Sequence, residues 1–366
     1  MKYAFSVFVF MHGALHLLGF IKAFKFAEVQ QLTMNISKIS GILWLLTFLL
    51  FILAGLTFLT EVNWWYVIGF IAVFLSTILI LSAWSDAKFG TVANLIILFV
   101  AIVGYGTSNF KAIYEDDVRT YLNKTFVQNT LLTETDIEHL PEPIKNYIRY
   151  SGSIGKPKVT NFRIEFTGKI RRDEQSEWMP FTTVQYNFLE PTSRLFFMNA
   201  EMKSLPVAGY HSFKSGKAFM DIRLLSLFKV QYQEGKEMDI SETVTFFNDM
   251  CCMAPATLID KRIKWLEVVG NKVHAEFTIN NITISAWLYF NENHELVNFI
   301  SEDRYAAGEN NSMQKLPWST PLKDYKEVNG YVRPSYADAI YSYPTGDLCY
   351  GTFNISSIEY NSRELK

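Results

Sequence analysis

Hydrophobic residues fall into two regimes along this chain. Up to residue 109 they form four long runs, 3–20, 39–59, 64–84 and 91–109, almost free of charge. A helix rises about 1.5 Å per residue, so about 20 apolar residues cross the hydrocarbon of a bilayer. Each run meets that length, and Trp64, Trp65 and Trp84 stand at run ends, where aromatic belts form. The connections 61–63 and 85–90 are short, which makes the later spans antiparallel neighbours. The first run is followed by Lys22 and Lys25 and has no small-residue cleavage site, so it reads as a retained span and not a removed leader. The chain thus reads as a multi-pass integral membrane protein.

Residues 111–139 are polar with a loose apolar stripe (Val118, Tyr121, Leu122, Phe126, Leu131, Leu132) and read as a helical linker. A second short helix follows from Pro143, with Ile144, Tyr147 and Ile148 on one face and Gly152 as its stop. From Val159 the period changes to two. Val273, Ala275, Phe277 and Ile279 alternate with polar residues, Asn280-Asn281 turns the chain, and Ile282, Ile284, Ala286, Leu288 and Phe290 return. This is an antiparallel meander, continued by Leu296, Asn298 and Ile300. Hairpin signals recur near Pro191, Gly216 and Gly346, giving about eleven to thirteen strands. One segment departs from the pattern: residues 241–253 read as a helix with Ser241 as N-cap and Phe246, Phe247, Met250 and Met253 among its apolar positions. A long sheet curls, and a mostly apolar helix across its concave face makes a container. The predicted class is α+β: a four-helix transmembrane domain (1–110), a helical linker (111–152) and a half-barrel-like β domain (153–366).

The net charge of −2 conceals an uneven distribution. Up to Phe110 there are five lysines and three acids; the remainder has 29 basic and 33 acidic residues. No basic stripe exists, which argues against nucleic acid as a partner. Lys22, Lys25 and Lys38 in the first loop and Lys88 in the third place those loops in the cytoplasm and the β domain outside.

The pattern Leu140-Pro141, Tyr150, Gly152, Trp178, Cys252–Ile259, Trp265, Arg304, Pro317-Trp318, Tyr325, Asn329-Gly330-Tyr331 and Arg333-Pro334 resembles an uncharacterised bacterial membrane-anchored family, a domain of unknown function. That resemblance implies no activity. The closing portion, with Tyr325, Gly330 and Pro334 before two strands, is similar to carriers of the lipoprotein-sorting type. This second resemblance implies a half-open barrel with a helical lid around an apolar ligand.

No phosphate loop, HExxH, Gly-x-Ser-x-Gly or paired CxxC occurs, so a binding role is favoured over an enzyme, and neither a metal nor a cofactor is expected. Cys251, Cys252 and Cys349 read as free thiols, with a pairing to Cys349 as the alternative. On the inserted helix, Asp249 stands beside Phe247 and Met250. Arg304, at a strand end, is its expected partner. Phe247, Asp249, Met250, Arg304 and Trp287 are the candidate ligand-binding residues: apolar lining with a polar anchor. The favoured reading of Asp249 and Arg304 is nonetheless structural, a lid-to-sheet ion pair or a solvated pair, with the polar anchor as the alternative. In the first run, His12 and His16 share a helix face. Ionisable groups within a membrane suggest function: a haem, metal or quinone site, against packing hydrogen bonds between helices. Three roles follow. The first is a membrane-tethered extracytoplasmic module for an apolar or lipid-like ligand. The second is a membrane redox enzyme or accessory using His12 and His16. The third is a structural envelope protein that binds another protein.

Overall fold

The computed structural model describes residues 2–127, 129–203, 205–308 and 312–366. The chain divides into two compact units, Met1–Ala112 and Ile113–Lys366.

The first unit holds α1 (Lys2–Leu15), α2 (Leu17–Ala23), α3 (Lys38–Leu59), α4 (Trp65–Ser82), the short α5 (Trp84–Ala87) and most of α6 (Gly90–Lys124). Among the described residues, four helical stretches, Lys2–Ala23, Lys38–Leu59, Trp65–Ser82 and Gly90–Lys124, are long and apolar enough to cross a membrane. The first is interrupted at His16, whose N–H reaches back to Gly13 O at 2.9 Å. α3 touches α1, α2 and α4. Small residues permit this: a Cβ at Gly19 would overlap the Trp44 ring. Large apolar side chains such as Ile39, Phe74 and Leu81 point outward. That is the reverse of a water-soluble bundle, whose outer face is polar. The fourth run and the start of the expected linker form one continuous helix, α6. It ends at Lys124, short of the expected 139.

In the second unit α6 is followed by α7 (Glu134–Ile137), which opens with a capping box between Thr133 and Asp136, and by α8 (Glu142–Tyr150). The strands are β1 (Asn161–Ile170), β2 (Met179–Phe188), β3 (Ser193–Met202), β4 (Leu205–Lys214), β5 (Lys217–Leu224) and β6 (Phe228–Glu234). Then come α9 (Lys236–Met253), a 3-10 turn at Pro255–Ile259, β7 (Ile263–Val269), β8 (Lys272–Ile279), β9 (Ile282–Phe290) and β10 (Leu296–Ser301). The last are β11 (Tyr305–Ala307), β12 (Met313–Lys315), β13 (Trp318–Ser319), β14 (Leu322–Val328), β15 (Tyr331–Tyr343) and β16 (Gly346–Tyr360).

Thirteen strands lie side by side in the order β6-β5-β4-β3-β2-β1-β16-β15-β13-β10-β9-β8-β7, with β14 branching from β15. Every pairing is antiparallel. The sheet is a curled half-barrel, as right-handed twist over so many strands requires. The expected turns join β2 to β3, β4 to β5, β8 to β9 and β15 to β16.

α9 begins at Lys236, five residues before the expected cap. Gly235, at φ +105°, starts it instead, a conformation that glycine adopts without a Cβ clash. The helix connects the two edge strands, β6 and β7, and touches β5 and β6 on one side and β9, β10 and β15 on the other. Only a helix lying along the concave face can do that. From Met238 to Met253 every residue but Ile240 is buried.

Candidate functional site

The concave face is apolar where α9 crosses it. On β8 the buried positions Val273, Ala275, Phe277 and Ile279 face the helix, and Ile284, Ala286 and Leu288 continue the surface on β9. Phe247 stacks on Phe277 with centroids 5.0 Å apart and meets Phe299 edge-on at 5.7 Å. Phe246 lies 6.0 Å from Phe213 of β4. Met250 is fully buried in the same cluster.

The same helix carries charge into this interior. Arg194 of β3 donates from Nε to Asp249 at 2.7 Å, from one terminal nitrogen to Glu242 at 3.0 Å and from the other to Gln185 Oε1 at 2.9 Å. Gln185 and Asn187 of β2 also donate to Asp249, at 2.7 and 3.1 Å. The exposures of Arg194, Asp249 and Glu242 are 8%, 8% and 2%. At such burial, charge is tolerable only when paired and hydrogen-bonded. His211 Nδ1 lies 3.9 Å from Glu242. Burial pushes the Glu242 carboxyl up, but the charge of Arg194, with His211 and Arg304, outweighs it and holds the group near 2.

Two further contacts fasten the helix. Asp239 accepts from Lys217 Nζ at 2.8 Å and from the Ala218 N–H at 2.7 Å, and Asn248 donates to Thr320 Oγ1 at 3.1 Å. Arg304 donates from Nε to Tyr341 Oη at 2.9 Å, from a terminal nitrogen to Thr245 Oγ1, and lies 4.3 Å over the Trp318 ring. α9 is therefore clasped by two arginines, one from each half of the sheet.

This geometry corrects the expected pairing of Asp249 with Arg304. Asp249 pairs with Arg194, and Arg304 serves Thr245 and Tyr341. Phe247, Asp249 and Met250 are brought together between helix and sheet, with Arg304 at the Thr245 turn of the same helix. Trp287 is not among them. It alternates with buried Ala286 and Leu288, so it stands on the convex face, stacked on His274 at 4.6 Å. The residues that sequence reasoning missed are Arg194, Glu242 and Gln185. Arg194 lies in a strand buried at every position from Ser193 to Met198, where no alternation marks the inward face.

Cys251 and Cys252 are buried and Cys349 half-buried, all three free. In the first unit, His12 Nε2 lies 2.8 Å from Asn94 Oδ1, and His16 Nε2 lies 2.9 Å from Ser76 Oγ. Ser76 donates to Asn94 Oδ1 at 3.0 Å, and Asn94 Nδ2 donates to Thr77 at 3.0 Å. Both imidazoles are thus engaged by side chains of α4 and α6. Among the described residues, no group of three or more His, Cys, Asp or Glu side chains is arranged to hold a metal. Two surface clefts, of about 370 Å³ beside Gly235 and about 290 Å³ beside His294, lie outside the packed interior.

Fold and site define a class: a curled antiparallel half-barrel with an internal, charge-clasped helix, preceded by four apolar helices. Residues 130–353 match the family of unknown function DUF6544, and the chain belongs to that family. No curated protein matches. Among solved structures, a LolA superfamily protein from Nitrosomonas europaea is 8% identical, with a TM-score of 0.29, over 60% of this chain and 94% of that one. A DUF1329 family protein from Desulfovibrio piger is 10% identical, with a TM-score of 0.34, over 60% of this chain and 92% of that one. Both likenesses are weak.

Proposed function

We propose that the second unit is a binding module for an apolar, lipid-like molecule, tethered to a membrane by the four apolar helices and facing the extracytoplasmic side. The ligand takes the place of α9 along the concave face. The observation that carries this reading is the way α9 is held. Its apolar side chains rest on a continuous apolar surface, while its position is fixed by Arg194, Asp249 and Glu242, buried ions that cost desolvation and add little net stability. Such a clasp suits an element with two positions: registered when closed, and free to leave a greasy surface when open. Gly235 at one end and the Ala254-Pro255 break at the other are the natural hinges. Ligand pockets in proteins are generally apolar concavities with a few placed polar groups.

The test is photolabelling of the full chain in detergent with a diazirine-bearing fatty-acyl probe, followed by peptide mapping. Label is expected in concave-face peptides containing Phe213, Phe277 or Phe299, and more of it in Arg194→Met, where the clasp is weakened. Label confined to the four apolar helices and the convex face, in both proteins, would sink the reading.

A further inference from the structure

The turns of β1–β6 lie alternately at two ends of the sheet, and the two ends differ in kind. At one end the turns carry ordinary turn chemistry: Glu190-Pro191-Thr192 between β2 and β3, Ser215-Gly216 between β4 and β5. At the other end the β5–β6 connection reads Leu224-Leu225-Ser226-Leu227-Phe228. Leu225 and Ser226 sit at φ +55° and +56°, left-handed positions where glycine or asparagine is the usual choice. Phe228 is 59% and Val230 56% exposed. Beside it stands the β3–β4 hairpin, closed by the pair Met202 and Leu205, which are 45% and 44% exposed. The Leu225 N–H donates to Pro206 O at 2.8 Å, tying the two tips together. Lys203 and Lys229 flank them, both exposed, with Glu201 adjacent.

The direction of α6 within this unit identifies which end this is. Tyr114 packs on Phe197 and Tyr210, and Tyr121, two turns later, on Phe188. Asp117 accepts from Tyr210 Oη at 2.6 Å and from Lys214 Nζ. Along β4 the helix therefore runs from Tyr210 toward Lys214, away from Leu205. The chain enters the unit, at Ile113, from the end that bears the apolar tips. The helix by which it enters is long and apolar enough to cross a membrane.

We infer that these two hairpin tips seat in a lipid surface. Met202, Leu205, Leu225, Leu227, Phe228 and Val230 enter the boundary between headgroups and acyl chains, and Lys203 and Lys229 meet the phosphates. Apolar side chains buried at that depth, with lysines around them, are how proteins lie on a bilayer without spanning it. Leu224 packs against the core, but Leu225 and Leu227 are only half-buried and Phe228 and Val230 are exposed, an apolar tip that the unit's own packing does not cover. Paired protruding tips rimmed by lysine fit a soft, anionic surface.

The experiment uses the full chain reconstituted in vesicles of phosphatidylcholine and phosphatidylglycerol, with ordinary or brominated acyl chains. Phe228→Trp adds a reporter at the tip; Lys261→Trp adds one to the other end, where neighbouring Arg262 meets Leu189 and Thr192. Over the parent's own tryptophans, brominated lipid is expected to cut the added Phe228→Trp emission roughly twofold, as befits insertion within about 10 Å of the interface. The Lys261→Trp emission stays unchanged. Should Phe228→Trp fail to accumulate, Val230→Trp reads the same tip. Added emission that is equal in both lipids at the tip overturns the inference, and so does equal quenching at both ends. Tip reporters that bromine leaves bright but chemical crosslinking joins to another chain assign the patch to a protein contact instead, which also overturns it.

Discussion

Replacing Arg194 with methionine is the most informative single change, because it removes one cation from two buried carboxylates. Asp249 loses the 2.7 Å bond from Nε but keeps the amides of Gln185 and Asn187. Glu242 loses its 3.0 Å bond and keeps His211, at 3.9 Å, and the charge of Arg304. Breaking a buried pair from one side costs about 3–5 kcal/mol, since the partner is left charged and dry. The partial support of Asp249 places the expected cost at about 4 kcal/mol at pH 7. A tenfold factor per ~1.4 kcal/mol converts this into exchange of α9 amides faster by about three orders of magnitude. Hydrogen-exchange mass spectrometry of the full chain in detergent, on peptides from residues 236–253, reads it directly. The pH response supplies a second check. With Arg194 present, Glu242 stays ionised to near pH 2. Without it, burial dominates and raises the carboxyl above its usual value, so a proton relieves the folded state. The variant should therefore recover protection, relative to wild type, as pH falls from 7 toward 5. The triple replacement of Arg194, Glu242 and Asp249 by apolar residues should recover most of it as well. Exchange within about tenfold of wild type at pH 7 would mean that the clasp contributes less than about 1.4 kcal/mol, and the argument for it would fail.

Three further outcomes follow. Glu242→Gln should lower stability by about 3 kcal/mol at neutral pH, the worth of a carboxyl held near 2 against a usual 4.5. Because the folded-state value is depressed, this contribution is complete above about 4.5 and vanishes as pH falls toward 2. The melting temperatures of Glu242→Gln and wild type should therefore converge only in that window. Of the three cysteines, only Cys349 should react with a thiol reagent in the native chain; Cys251 and Cys252, whose thiols burial pushes well up, should wait for denaturant. Asn94→Leu removes the link between His12, Ser76 and Thr77 and should weaken the apolar unit by about 1–2 kcal/mol in a detergent-unfolding titration; no change would mean that the histidines are held by something else.

The features that were legible in the sequence are those written by local periodicity. The hairpins of β8 to β10 bury one face and leave the other half-buried, so Val273 to Ile279 announces its strand by alternation. The four long apolar helices announce themselves by length. β3 does neither. Ser193 to Met198 is buried at every position, because Phe197 packs under Tyr114 of α6 while Phe196 joins the core on the concave side. A strand covered on both faces loses its period, and with it the cue that would have placed Arg194 on the inner side. The pairing of Asp249 was illegible for a related reason. Its distance from Arg194 along the chain is 55 residues, the same as to Arg304, and nothing local distinguishes the two. What decides is the curl of the sheet, which brings β3 against Glu242 and Asp249 and the Arg304 strand end against Thr245 between them. The polar composition of α9 held the usable hint. Glu242, Thr245 and Asp249 recur at a spacing of three and four, on one face of a helix whose adjoining face, Phe246, Phe247 and Met250, is apolar. On a surface helix one of those faces would meet water. In α9 both are buried, so every charge on the polar face required a partner from the sheet before the helix could occupy the concavity at all. The helix and its two arginines therefore form one unit of structure, and any change that opens the half-barrel must first undo that pairing.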